Sequence, residues 1–285
     1  MIRQRAVEVI SALTALGAVV VAGLTLIATQ DQVTAAQEQS KAALRQNEVA
    51  EQGQFTDRYT KAVEQLDRTG ADHLQSRLGA VYALERLARD SPRDQPSVIE
   101  VLSAFVRTTS PRLAPAECPD LPPAADIQAA LTVLGRRDTK FDQTTRIDLN
   151  STCLRNIKLN NANLEYSDLR GADLYDAQLN DATLRHATLV GAALVGVDLR
   201  NSDLGSADLS QANLGNADFS YADLSNVGFR KANLSHATLE NAELGLANFT
   251  NADLRGANLT AAVHDEMTQT GGALVDGATK GEWWR

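Results

Sequence analysis

The sequence predicts a mixed fold, helical in its first half and a repeat solenoid in its second. Three observations predict it. Leucine or phenylalanine occupies every fifth position from Leu149 to Leu259, 23 positions in succession, with Phe219, Phe229 and Phe249 as the aromatic members. Val9 to Ala28 is a twenty-residue stretch without a charge. Between them, apolar residues recur at helical spacing and give way to a proline-rich segment.

A period of five fits neither regular element. On a helix each step of five residues advances about 140° net, which carries the leucines around every face. On a flat strand an odd period sends alternate leucines to opposite faces. The chain therefore turns within each unit. With the leucine position called i, position i−2 is alanine in sixteen of the 23 units; the exceptions are Ile147, Thr152, Ile157, Ser167, Val197, Ser202 and Val227. Residues i−2 and i point the same way in an extended piece, so each unit buries one small and one large side chain. Position i−1 is Asp or Asn in fourteen units, where a short polar side chain bonds nearby backbone at a bend. Positions i+1 and i+2 hold corner residues such as Gly171, Gly191, Gly205, Asn161 and Asn226. Because an internal repeat decides architecture, the rest of the chain is read around it.

The runs Ala162-Asn163-Leu164-Glu165-Tyr166, Ala207-Asp208-Leu209-Ser210-Gln211 and Ala252-Asp253-Leu254-Arg255-Gly256 resemble the pentapeptide repeat family. The resemblance covers residues 139–263. It implies a right-handed quadrilateral parallel β-helix with four units per coil, so that residues twenty apart stack. Phe229 and Phe249 should then touch.

Residues 9–28 match the hydrocarbon thickness of a bilayer and are read as an uncleaved transmembrane helix. A signal peptide would have a shorter apolar region and a small-x-small site after it. Residues 29–54 are rich in Gln, Glu and Ala and suit a solvated helical stalk. Residues 55–107 read as three amphipathic helices. Phe55, Tyr59, Val63 and Leu66 share one face of the first. Leu74, Leu78, Val81, Leu84 and Leu87 line the second. The third starts near Pro96 and buries Val98, Val101, Leu102, Phe105 and Val106. Residues 108–123 hold five of the seven prolines and form a linker. Residues 124–138 carry a helix with Ile127, Ala130, Leu131 and Leu134 on one face, the expected N-terminal cap of the solenoid. Residues 264–285 lose the repeat and form a cap or tail; Trp283 and Trp284 pack on the last coil or meet a membrane or partner.

Three segments of the helical half carry a second resemblance: Gln52 to Leu66, Val81 to Ser91, and Ala129 to Arg137. Together they resemble the module that precedes the repeats in actinobacterial pentapeptide repeat membrane proteins. Many of those have two membrane helices before the module, which implies a cytoplasmic module and rod. This chain shows one such stretch, residues 9–28. Arg3 and Arg5 before it, read literally, place the N-terminus inside and the rod outside, while Lys41 and Arg45 lie on the other flank. The expectation adopted is a single-pass membrane protein with a cytoplasmic rod.

The net charge of −9 gives no broad basic footprint for nucleic acid. Cys118 and Cys153 are the only cysteines. They are read as two free thiols in a reducing compartment, or as a bridge if the linker folds back. No catalytic, cofactor or metal site emerges. His73, His186, His236 and His264 are scattered, with His186 and His236 on different corners. His264-Asp265-Glu266-Met267 lacks a second histidine at helical spacing, and Gly277 to Gly281 lacks phosphate-loop spacing.

The expected function is that of a membrane-anchored, noncatalytic interaction scaffold. Residues 9–28 meet the membrane, and a protein partner binds the repeat faces or the helical module. The rival reading is an acidic DNA mimic acting on a type II topoisomerase, as some pentapeptide repeat proteins do. Between Ile147 and Thr260 there are 14 acidic and 8 basic residues. Ten of the acids sit at i−1, and both signs are expected to spread over all four faces. A mimic needs a concentrated negative stripe.

Overall fold

A computed structural model of the chain describes residues 2–112 and 118–281, with side chains from residue 11 onward. Two compact units divide it, residues 1–57 and 58–285. Trp283 and Trp284 lie outside the described residues.

The first element, α1, is one helix from Ile2 to Leu66. The boundaries expected after residues 28 and 54 both fall inside it. Residues 11–54 are exposed without exception, and α1 is long and apolar enough to cross a membrane.

In the second unit, the end of α1 is followed by α2 (Leu74–Asp90), α3 (Gln95–Thr109) and α4 (Ala125–Gly135). Val81, Leu84 and Leu87 of α2 are buried, as are Val98, Leu102, Phe105 and Val106 of α3, while Leu74, Leu78 and Val101 are half-buried. Pro96 sits in the first turn of α3, where its missing N–H costs nothing. The charged residue that sequence periodicity left aside is Asp126. It is fully buried in α4 and accepts a hydrogen bond from Arg77 Nε of α2 at 2.5 Å. Arg77 Nη1 also donates to the carbonyls of Arg68 and Gly70. One buried ion pair thus ties α2, α4 and the turn before α2.

From residue 147 onward the chain is a solenoid. All 23 ladder residues and all 23 residues at i−2 are buried. Parallel bridges join i−1 residues twenty apart, beginning Asp148↔Asp168, so four five-residue units make one coil. Among the described residues these are isolated bridges and no continuous strand forms, because a unit that turns every five residues leaves little to pair. The i−1 and i residues of each unit bond backbone in opposite directions, as in Asp168 N–H to Ile147 C=O and Leu149 N–H to Asp168 C=O, both 2.8 Å. Phe229 and Phe249 stack at 5.0 Å, and Phe219 meets Phe229 edge-on at 5.9 Å.

The corners are sharper than the composition implied. Every i+2 residue from Ser151 to Ala261 has φ between 50° and 71°. Only four of these are glycine. Asn, whose short side chain tolerates this region, supplies seven. The amides of Tyr166 and Tyr221 donate to Arg185 C=O and Glu240 C=O of the following coil, and that of Leu246 donates to Asp265 Oδ1, which holds the three corners. From Leu154 onward a hydrogen bond from the i+3 amide to the ladder carbonyl closes each corner, as in Ala172 N–H to Leu169 C=O at 3.1 Å; at Leu149 the Thr152 hydroxyl donates instead.

The first coil is capped on all four sides. Its outward carbonyls at Asp148, Cys153, Lys158 and Asn163 accept from Arg107 Nη1, Ser110 Oγ, Gln128 Nε2 and Arg137 Nη1, at 2.6–2.8 Å. The amides of Cys153, Lys158 and Asn163 donate to Ser110 C=O, Gln128 Oε1 and Gly135 C=O. At Gly135 the helix approaches so closely that a Cβ would lie 2.8 Å from the Ala162 Cβ. The linker contributes directly: Pro111 bridges Thr152 antiparallel, and Arg112 N–H donates to Ser151 C=O.

Two expectations are corrected. Cys118 and Cys153 form a disulfide rather than free thiols, because the linker does fold back along the first coil. The solenoid also does not end with the leucine ladder. Bridging continues to Lys280, with offsets lengthened from Glu243↔Val263 to Asn248↔Gln269 and Asn258↔Lys280.

Candidate functional site

Function on a solenoid lies in what its faces and corners present, so the side chains are read in columns of residues twenty apart. All fourteen Asp and Asn residues at i−1 accept a hydrogen bond from the amide two residues on, as Asp208 does from Ser210 N–H at 2.9 Å. One oxygen of each side chain is thereby committed to the bend. The second oxygen of several carboxylates meets arginine. Arg170, Arg200 and Arg255 pair with Asp168, Asp198 and Asp253 in their own units, and Arg155 reaches Asp173 across coils. Hydrogen bonds from Arg170, Arg200 and Arg255 hold the carboxyls of Asp168, Asp198 and Asp253 below the ordinary range.

The expected spread of charge over all four faces is not what the register produces. Parallel bridges place Asp203, Asp223 and Glu243 in one column, and Asp198 above Asp218 in the neighbouring one. These two adjacent faces and their corners also hold Glu165, Asp181 and Glu240, giving eight carboxylates against Lys158, Arg185 and Arg200. The other two faces hold Asp148, Asp168, Asp173, Asp176, Asp208 and Asp253 against Arg155, Arg170, Arg230, Lys231 and Arg255. The net charge of the rod is therefore concentrated on one side. A five-residue period says nothing about this; the twenty-residue stacking decides it.

One corner column carries aromatic groups. The Arg146 guanidinium lies 5.8 Å from the Tyr166 ring centre, and Tyr166 stacks on His186 at 4.8 Å with the planes 9° apart. His236 lies in another corner column, over Gly256. Asp176 shares that column, and burial together with the charge of Asp120 pushes its carboxyl up.

The helical module holds an apolar cavity of about 280 Å³, floored by Ile99, Leu102, Val133 and Leu134. Its rim is internally paired: Glu85 accepts two bonds from Arg136 at 2.7 Å and one from Arg89 at 2.6 Å. Among the described residues no group of three or more His, Cys, Asp or Glu is placed to hold a metal ion.

Comparison with known proteins gives the repeats a context. A family model described as "Pentapeptide repeat region" matches residues 162–239, and one described as "Pentapeptide repeats (8 copies)" matches residues 229–263. No curated protein matches the chain. Among solved structures, a pentapeptide repeat protein of the Arabidopsis thaliana thylakoid lumen is 38% identical over 31% of this chain, with a TM-score of 0.30. The match spans 61% of that protein's length. A pentapeptide repeat protein from Nostoc PCC 7120 is 32% identical over 46% of this chain and 86% of its own, with a TM-score of 0.15. QnrB1, a plasmid-mediated fluoroquinolone resistance protein, is 19% identical over 47% of this chain and 77% of its own, with a TM-score of 0.30.

Proposed function

Through residues 162–263 the chain belongs to the pentapeptide repeat family, and from that premise we propose that it is a membrane-tethered, noncatalytic rod that displays its faces to a protein partner. The observation that carries the reading is that one chain holds a capped, hydrogen-bonded solenoid and an N-terminal helix whose described residues 11–54 are all exposed. A long apolar helix left uncovered exposes a surface that water disfavours and a bilayer accepts. Within it, the Thr14 and Thr25 hydroxyls donate to the carbonyls of Ser11 and Ala22, which suits a medium without water. We read the coils as a right-handed quadrilateral parallel β-helix. The parallel twenty-residue bridges support that geometry.

The test is capture from native membranes by the full chain and by a chain lacking residues 139–263. A protein retained only by the former is expected; retention that ignores those residues would sink the display reading.

The second reading, an acidic mimic of DNA acting on a type II topoisomerase, gains support from the Asp203, Asp223 and Glu243 column. Stacked carboxylates along a rod imitate a row of phosphates better than scattered ones. A supercoiling assay with the detergent-solubilised full chain separates the two. Inhibition or protection of the topoisomerase that is lost when the three acids become Asn, Asn and Gln selects the mimic.

A further inference from the structure

The side of the membrane on which the rod stands follows from the junction between the linker and the first coil. Cys118 and Cys153 are joined there across 35 residues, with their Cα atoms 5.5 Å apart. They are the only cysteines in the chain, so each has one intramolecular partner available. The surroundings hold the two strands of the junction in place independently of the sulfurs. Cys153 N–H donates to Ser110 C=O at 2.8 Å. Ser110 Oγ donates back to Cys153 C=O at 2.6 Å. Arg112 donates through its amide to Ser151 C=O and through Nη1 to Gly171 C=O, both at 2.8 Å. Cys118 is 4% exposed, and Cys153 is half-buried at the i−1 position of its unit. Folding therefore brings the thiols together, and the compartment decides whether they remain thiols.

Paired cysteines are kept reduced in most cytosols and persist as disulfides outside them. The flank of the uncharged stretch agrees. Arg3 and Arg5 stand six and four residues before Val9, with Glu8 between, whereas the nearest basic residues after Ala28, Lys41 and Arg45, lie thirteen and seventeen residues beyond it. Positive residues close to a span favour the cytoplasmic side.

We propose that the module and rod stand on the oxidising, non-cytoplasmic face of the membrane, stapled there by the Cys118–Cys153 disulfide, and that the partner displayed to is an extracytoplasmic protein. This reverses the cytoplasmic placement that the family resemblance implied. The placement rests on residues 9–28 spanning the membrane; only the partner's compartment rests on the display reading as well. The bond forms by exchange with an oxidising disulfide, that of a thiol oxidoreductase or a small-molecule disulfide. One cysteine thiolate attacks that disulfide and expels a thiol. The second thiolate then attacks the mixed disulfide and expels the other. Two protons leave the cysteines, and two electrons reduce the oxidant to two thiols. A rod outside the cytoplasm has no access to a topoisomerase, so the same placement removes the DNA-mimic reading.

The experiment uses the full chain in cells of its source. Cells are quenched in acid, and the denatured protein is treated with maleimide–polyethylene glycol before and after reduction. No mass shift before reduction and two shifts after it are expected; two shifts before reduction overturn the proposal. In a second arm, Cys118→Ser cells are exposed to a membrane-impermeant maleimide. Labelling of Cys153 on intact cells is expected. Labelling that requires permeabilised cells overturns the placement even if the disulfide is present. Neither arm depends on a captured partner, so failure here and failure of the display reading are told apart.

Discussion

The two ends of the solenoid solve the same problem in different ways. A coil edge leaves a row of backbone donors and acceptors without the next coil, and an open edge invites pairing with other chains. At the N-terminal edge the helical module supplies the missing partners from outside, with Arg107, Ser110, Gln128 and Arg137 each meeting one side of the first coil. At the other end the irregular coil of residues 261–280 supplies the partners for the last regular coil. Asp265 and Asp276, each followed by threonine three residues later, accept the amides of Leu246 and Gly256, while Thr268 and Thr279 donate to the carbonyls of Leu244 and Leu254. The first solution buries an ion pair and most of α4. The second leaves Val263, Met267 and Leu274 exposed. The leucine ladder holds the middle, and hydrogen bonds from outside the repeat pattern hold the ends. The C-terminal end, with less burial behind it, should open first.

The largest expected effect tests the middle against both ends. Leu204 is fully buried halfway along the rod, so Leu204→Asp should cost roughly 4 kcal/mol or more and abolish cooperative unfolding. Arg255→Ala, at an exposed corner, should leave the thermal midpoint nearly unchanged. Circular dichroism melts of the two variants settle it; equal midpoints break the burial assignment.

Next comes the N-terminal cap. Asp126→Ala strands the Arg77 guanidinium, whose side chain is 11% exposed, and should cost about 3–5 kcal/mol. Hydrogen exchange should then accelerate at the amides of Lys158 and Asn163 while those near Ala278 keep their protection. Acceleration confined to α2 and α4 would mean that the module and the first coil are not coupled.

A smaller effect is expected at the other end. Asp276→Ala removes the acceptor for the amides of Gly256, Ala278 and Thr279. Those three should exchange faster with little movement of the global midpoint. Unchanged exchange at Gly256 would show that the last coil is held by something other than its carboxylates.

The smallest effect is on pH. Arginines hold Asp168, Asp198 and Asp253 below the ordinary carboxylate range, and backbone amides of Leu246 and Gly256 do the same for Asp265 and Asp276. A depressed folded-state pKa contributes stability that is present above the unfolded value near 3.8 and is lost as pH falls through the folded value. Stability from these groups should therefore hold down to the ordinary carboxylate range and decline only below it, with the C-terminal coil loosening first. A loss traced to these carboxyls between neutrality and pH 5 would contradict the attribution.

Much of this was legible in the residues. The positions i and i−2 named the buried set without exception, and the Asx residues at i−1 foretold fourteen bends. Asp126 carried a readable signal: it lies four residues before Ala130 and eight before Leu134, on the face that α4 buries. The disulfide was readable only as one of two alternatives, because thirty-five residues of intervening chain do not say where their ends meet. The coil from Ala261 to Lys280 was not readable as a coil, since two single-residue insertions and the loss of leucine erase the period while the backbone keeps its bridges.

The sequence by itself determined the local unit: a short extended piece, a corner, a small and a large residue inward, and an uncharged stretch long enough for a bilayer. These depend on neighbours within five residues or on a continuous run, and such preferences are written in order along the chain. Tertiary structure alone decided which carboxylates share a face, how the first coil is capped and the last regular coil covered, and that Cys118 meets Cys153. Those outcomes depend on residues brought together across twenty to sixty positions, where the free energy of contact is set by register and not by local preference.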